Sequence, residues 1–190
     1  MPYAVELFFD ADLDHRVRQV CKVVSDRIGH PDSMTLKGSR PHLALAVFDD
    51  TQMDRTLAVV QDLAKTLKAF EIQLNSVGTF PGAEGVLFLA PRSDQALTEA
   101  HDRCQGELQG LVQGMWDHYL VGNFVFHCTL TMGLAPVALE KAVAVAREIS
   151  LPLMGRVVAV GLVKFPDVTF LGDFRLVGDE TSSLPKGSAG

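Results

Sequence analysis

The chain has 190 residues, 47% of them apolar and 21% charged, which suffices for one domain with a full core and is ordinary for a globular protein. A formal net charge of −6 and a pI near 5.4 exclude a broad basic surface of the kind that grips long nucleic acid by its phosphates. Cys21, Cys104 and Cys128 are odd in number and lack CxxC spacing, which fits reduced thiols rather than a disulfide framework.

The opening MPYAVELFFDADLDHR brings acids early and has no positive region ahead of an apolar run, so no signal peptide is expected. No apolar segment reaches the length of a membrane span, and a soluble, cytoplasmic protein is the expectation. YAVELFF reads as a strand and DLDHRVRQVCKVVSDRI as a helix. RPHLALAVF reads as a second strand, with His42, Ala44, Ala46 and Phe48 on one face and Leu43, Leu45 and Val47 on the core face. In DDTQMDRTLAVVQDLAKTLKAF, Met53, Leu57, Val60, Ala64 and Leu67 recur at amphipathic-helix spacing, and FEIQLNSVGTFP then reads as extended.

VLFLAP begins a second series, followed by the helical run SDQALTEAHDRCQGELQGLVQGM. In FHCTLTMG and the residues before it, alternation points Phe124, Phe126, Cys128, Leu130 and Met132 to an apolar face, and Val125, His127, Thr129 and Thr131 to the other. His127 and Thr129 then stand roughly 6.5 to 7 Å apart along the strand, close enough for both to reach one small polar group. APVALEKAVAVAREISLPL is a further helix with Pro136 suited to its first turn, GRVVAVGLVKFP an extended run, and DVTFLGDFRLVG a final strand. Residues 179–190 read as a poorly ordered tail.

Shifted by 85 residues against itself, the sequence lays Pro41-His42-Leu43-Ala44-Leu45 over Phe126-His127-Cys128-Thr129-Leu130, and Phe80-Pro81 over Phe165-Pro166, with a helical segment between the anchors in each copy. Upstream, YAVELFF and VLFLAP correspond with a slip of a residue or more. The chain reads as a single bilobal domain over 1–178, built from two strand-helix-strand-helix-strand units at about 3–83 and 85–165 plus a strand at about 168–177. A pseudo-two-fold relation between the units sets His42 against His127 in a cleft. With an ordinary imidazole pKa of about 6.5, one ring can be neutral and the other protonated near neutral pH, as general base plus general acid catalysis on a phosphoester requires. The Thr129 hydroxyl, aided by a cation, is placed to hold the non-bridging oxygens.

These motifs resemble the 2H phosphoesterases, which include the LigT-like 2′,5′-RNA ligases and 2′,3′-cyclic phosphodiesterases and carry two copies of a His-x-Thr/Ser-x motif, x usually apolar. His127-Cys128-Thr129-Leu130 matches fully, while His42-Leu43-Ala44-Leu45 departs at Ala44, where the family generally has a hydroxyl. The resemblance covers about residues 3 to 177. It implies an α+β fold, bilobal and internally duplicated, with two antiparallel or mixed sheets lining a central cleft and helices outside. It also implies a metal-independent phosphodiesterase that needs no cofactor and acts on the 2′,3′-cyclic phosphate of an RNA end or nucleotide, with His42 and His127 as acid and base. Ala44 sets an alternative beside this, a protein that binds an RNA end or nucleotide with weak or lost turnover.

The Arg that many members carry after the second motif is replaced by Thr131 and Met132, and Arg40 and Lys37 are the nearest cations in sequence, with Arg40 assigned to substrate binding and Ser39 a stand-in hydroxyl. His15, His30, His101 and His118 have no equivalents in the repeat and read as surface or loop residues. No HxxxH, HExxH or CxxC pattern suggests zinc, no Walker A or GxGxxG context suggests ATP or NAD, and alternation turns Cys128 away from the cleft. Membrane partners are not expected, and a monomer is compatible with everything in the sequence.

Overall fold

The computed structural model describes residues 1–31, 38–80 and 84–179; Lys37, Pro81 and the tail beyond Asp179 lie outside them. The chain runs β1 (Tyr3–Phe9), α1 (Ala11–Ile28), β2 (His42–Thr51), α2 (Met53–Thr66), β3 (Phe70–Phe80), then β4 (Val86–Pro91), α3 (Gln95–Leu108), β5 (Val112–Met115), a 3-10 turn (Asp117–Tyr119), β6 (Cys128–Thr131), α4 (Pro136–Ala146), β7 (Leu153–Lys164) and β8 (Thr169–Arg175). The order strand, helix, strand, helix, strand therefore occurs twice, with β5 and the 3-10 turn inserted in the second series and β8 added at its end. Among the described residues no helix is long and apolar enough to cross a membrane.

Local chemistry sets the helix limits. The Asp10 carboxylate accepts the Leu13 backbone N–H at 2.9 Å to start α1, and Asp94 does the same for Ala96 at 2.7 Å to start α3. Pro136 opens α4, where its missing N–H costs nothing. α3 stops at Leu108, short of the run read as helical. Gly110 adopts φ +76°, and the next residues form β5, a four-residue edge strand on β2.

Among the described residues eight strands form one sheet in the order β5-β2-β1-β7-β3-β4-β6, with β8 also on β7, and each of these strand pairs is antiparallel. The two expected sheets are thus joined through β3 and β7. That junction is centred on Glu71 opposite Arg156, two residues that stand 85 positions apart, and each half's last strand pairs with the first strand of the other half: β7 with β1, β3 with β4.

The main core contains buried residues of α1, α2, α3 and α4, among them Val17, Val60, Cys104 and Ala142, together with Leu7, Leu43, Leu74, Leu89 and Leu130 from the strands. Two small clusters, Ala4 with Ala44 and Val47, and Phe8 with Ala159 and Val163, contain no helical residue. The helices therefore cover one face of the sheet and leave the face of His42 and Ala44 open.

Alternation fails at one place along each of the site strands β2 and β6. Along the β1–β2 ladder Val5 pairs with Ala46 and Glu6 with Ala44, so Leu45 is an extra residue; along β4–β6, Leu87 pairs with Thr131 and Phe88 with Thr129, so Leu130 is extra. Leu45 and Leu130 are equivalent under the 85-residue shift. Past each bulge the faces exchange. Ala46 and Phe48 join the core and Val47 the open face, opposite to simple parity, while Thr131 is buried and Met132 exposed. The Gln105 side-chain amide donates to the Leu45 carbonyl at 2.9 Å.

Candidate active site

His42 is the first residue of β2 and His127 immediately precedes β6, and both rings are anchored alike. Nδ1 of His42 donates to the Arg40 carbonyl and Nδ1 of His127 to the Val125 carbonyl, each at 2.7 Å and each two residues back. A carbonyl only accepts, so Nδ1 carries a proton in both rings and Nε2 is left to work. The two strand starts adjoin: the His42 backbone N–H reaches the Cys128 thiol, and the charge of His42 is felt at His127. Burial pushes the Cys128 thiol up to about 12, which leaves it a packing residue rather than a nucleophile.

The surroundings of the two rings differ. Glu6, which pairs with Ala44 across β1–β2, brings Oε1 to 3.5 Å from His42 Nε2. Phe88 holds the corresponding position on β4 opposite Thr129, with its ring centroid 5.5 Å from that of His127. Phe80 meets the same imidazole edge-on at 4.9 Å, and Tyr119 lies 6.2 Å away. Burial lowers His127 below the ordinary imidazole range, the Val125 carbonyl opposes this, and the charge of His42 adds to it. Burial holds the Glu6 carboxyl above the usual carboxylate range, against the pull of His42 and then Arg40.

Thr129 is half-buried on β6 two residues beyond His127, and its side chain makes no hydrogen bond among the described residues. Ala44, its equivalent, presents a methyl group that is 7% exposed.

Arg40 is not a solvated loop charge. It is 2% exposed, pairs with Asp173 of β8 at 2.7 Å, and lays its guanidinium 4.1 Å from the centre of the Phe8 ring. Its Nε and Nη2 are buried without partners among the described residues. Ser39 is buried as well, its hydroxyl donating to the Arg40 carbonyl at 3.3 Å. Arg40 therefore underlies the His42 side of the site and fixes the carbonyl that orients the ring.

His101 corrects an expectation. It is 4% exposed on α3, stacks on Phe124 at 4.2 Å, and its Nε2 donates to the Tyr119 carbonyl at 3.1 Å. His15 and His118 are exposed and His30 is half-buried. Phe126 packs on the main core, whereas Phe124 packs between His101 and Tyr119.

Tyr119 had no signal in the sequence, because it lies in the inserted stretch that the repeat does not cover. β5 runs antiparallel along β2, the Trp116 N–H donates to the Val47 carbonyl at 2.9 Å, and the 3-10 turn then packs Tyr119 against Ala4, Ala44 and Val47. Among the described residues no group of three or more His, Cys, Asp or Glu side chains is arranged to hold a metal ion.

A family model described as "2'-5' RNA ligase superfamily" matches residues 10–168. The fold is similar to TT0787 of Thermus thermophilus, at 20% identity and a TM-score of 0.61, over 94% of this chain and 100% of that one. A structure described as a phosphoesterase aligns at 17% identity and a TM-score of 0.58, over 92% and 97% of the two chains. Escherichia coli LigT complexed with 3'-AMP aligns at 17% identity and a TM-score of 0.57, over 93% and 99%. No curated protein matches the chain in sequence.

Proposed function

The chain belongs to the 2'-5' RNA ligase superfamily, and from that premise we propose that it is a 2H-type phosphoesterase opening the 2′,3′-cyclic phosphate of an RNA end or nucleotide. The observation that carries this reading is the matched anchoring of His42 and His127, each with Nδ1 tied to a carbonyl and Nε2 left to work. LigT, which shares the fold, has been solved with 3'-AMP and with phosphate, ligands of the class such a site takes.

In this reading the nucleobase-bearing substrate lies on the open face with its phosphorus between the rings. His127, lowered by burial among aromatic rings, is neutral and takes the proton of the attacking water at Nε2. The new P–O bond forms as the P–O3′ bond breaks, and protonated His42 gives its Nε2 proton to the departing O3′, leaving a 2′-phosphate. Glu6 Oε1 stands 3.5 Å from the Nε2 that gives up this proton. Attack by the 5′-hydroxyl of a second RNA in place of water yields a 2′,5′ linkage by the same proton transfers. Thr129 donates to a non-bridging oxygen as charge develops there.

The test is turnover of nucleoside 2′,3′-cyclic phosphates and of cyclic-phosphate-ended RNA with EDTA present. His42→Ala and His127→Ala are each expected to slow it by about 10²- to 10⁴-fold. Equal turnover in wild type and both variants rejects the assignment. The methyl group at Ala44 favours one second reading, a protein that holds such an end without turning it over; tight binding with no product from any cyclic phosphate identifies it.

A further inference from the structure

In the second half of the chain the residue two places after the histidine is Thr129, and in the first half it is Ala44. The space above the Ala44 methyl is filled by Tyr119, delivered from the other half by β5 and the 3-10 turn. Its ring sits 6.2 Å from the His127 ring and 5.7 Å from Phe124. Three interactions fix the turn: the Tyr119 carbonyl accepts from His101 and from Gln105, each at 3.1 Å, and its N–H donates to the Trp116 carbonyl at 2.9 Å. Gln105 also holds the Leu45 carbonyl, so one side chain sets both the bulge beside Ala44 and the residue that covers it.

We infer that the Tyr119 hydroxyl replaces the missing hydroxyl of the first motif and donates to a non-bridging phosphate oxygen, opposite Thr129. This rests on the phosphoesterase reading of the same site. The hydroxyl makes no hydrogen bond among the described residues, and its ring packs on Ala4, Ala44 and Val47 of the open face, 6.2 Å from the His127 ring; the charges of Glu6, beside His42, and of Glu84 both reach it. Burial and those two carboxylates push its pKa up, so it stays a protonated donor throughout the range in which imidazoles work. A rigid phenol on a pinned backbone is a preorganised donor.

The experiment compares wild type with Tyr119→Phe, which keeps the ring and removes the oxygen. On uridine 2′,3′-cyclic phosphate, kcat is expected to fall about 10²-fold with KM changed less than about threefold, and affinity for a uridine–vanadate complex to fall by the same factor as kcat. Ala44→Ser in the Tyr119→Phe background is expected to regain at least about tenfold of the loss. Turnover and vanadate affinity within twofold of wild type overturn the inference.

If wild type turns over no cyclic phosphate, the phosphoesterase reading fails and binding decides the inference alone. Inorganic phosphate and uridine–vanadate bound about tenfold more weakly by Tyr119→Phe then uphold it, and equal binding overturns it. If Tyr119→Phe does not fold, 3,5-difluorotyrosine at position 119 keeps ring and hydroxyl while lowering the phenol pKa. An alkaline fall in turnover or phosphate binding at lower pH than in wild type upholds the inference; an unmoved profile overturns it.

Discussion

Glu6 and Phe88 occupy the same place in the two halves, one opposite Ala44 and the other opposite Thr129, so one imidazole faces a carboxylate and its twin faces a benzene ring. A pseudo-symmetric pair of histidines is thereby made unequal. The inequality has measurable consequences on both sides.

On the carboxylate side, ionising Glu6 is harder in the folded protein than in the unfolded chain, where its pKa is near the ordinary value of 4.5. The folded state holds the proton more tightly, so stability falls as pH rises from about that value through the raised folded pKa. Glu6→Gln is expected to flatten this decline, seen in denaturant melts between about pH 4 and 8, and to lower turnover about tenfold by removing the carboxyl oxygen that stands 3.5 Å from His42 Nε2. A variant whose stability tracks the wild type across the window contradicts the assignment.

On the aromatic side, a base works only when deprotonated, and the folded pKa of His127 lies below 6.5. The acidic limb of kcat/KM is therefore expected to have its midpoint below that value. A midpoint at or above pH 7 assigns the base to another group. The same shift acts on stability: below about pH 6.5 the unfolded chain gains a proton that folded His127 resists, so the protein weakens as pH falls towards the folded pKa, and His127→Asn removes that component.

The Phe88 ring beside His127 lies against Gly78, its cross-strand partner on β3. A Cβ at Gly78 would lie 2.4 Å from Cε2 of the Phe88 ring. Gly78→Ala is expected to cost about 1 to 3 kcal/mol and to reduce turnover by displacing Phe88 from its packing beside the imidazole. Thermal melts with kinetics test it, and a variant as stable and active as wild type shows that the ring has room to retreat.

Arg40 and Asp173 make a buried pair with one partly exposed end. Asp173→Asn leaves the buried guanidinium without its ion-pair partner beneath the site, at an expected cost of about 2 kcal/mol after allowing for the solvent that reaches Asp173. Equal melting temperatures for wild type and variant argue that Arg40 finds another partner.

Much of this arrangement is legible in the sequence because it rests on periodicity. His42 and His127 stand in register, and the stripes of α1, α2 and α4 carry the helices. The bulge at Leu45 escapes because Ala46, Val47 and Phe48 are all apolar, and hydropathy does not register an exchange of faces among them; the bulge at Leu130 buries polar Thr131 and exposes Met132, against hydropathy. β5 escapes because Val112–Met115 is a four-residue edge strand whose sequence continues a helical run. The burial of Arg40 depends on Phe8 and on Asp173, 133 residues away, so nothing in the local RPHLA stretch announces it. Glu6 and Tyr119 belong to the site only through cross-strand register and a turn, relations that a linear pattern does not carry.

The exchange of final strands also bears on how the chain could be divided. A fragment ending after β3 contains β1 and β2 but not β7, the strand β1 pairs with, while its own β3 would lie beside no β4. Neither half closes its own ladder, so a cut between β3 and β4 should produce two pieces that regain structure by finding each other. Two copies of one piece could satisfy the same geometry across the Glu71–Arg156 centre, the arrangement expected of a symmetric homodimer from which a tandem fusion descends.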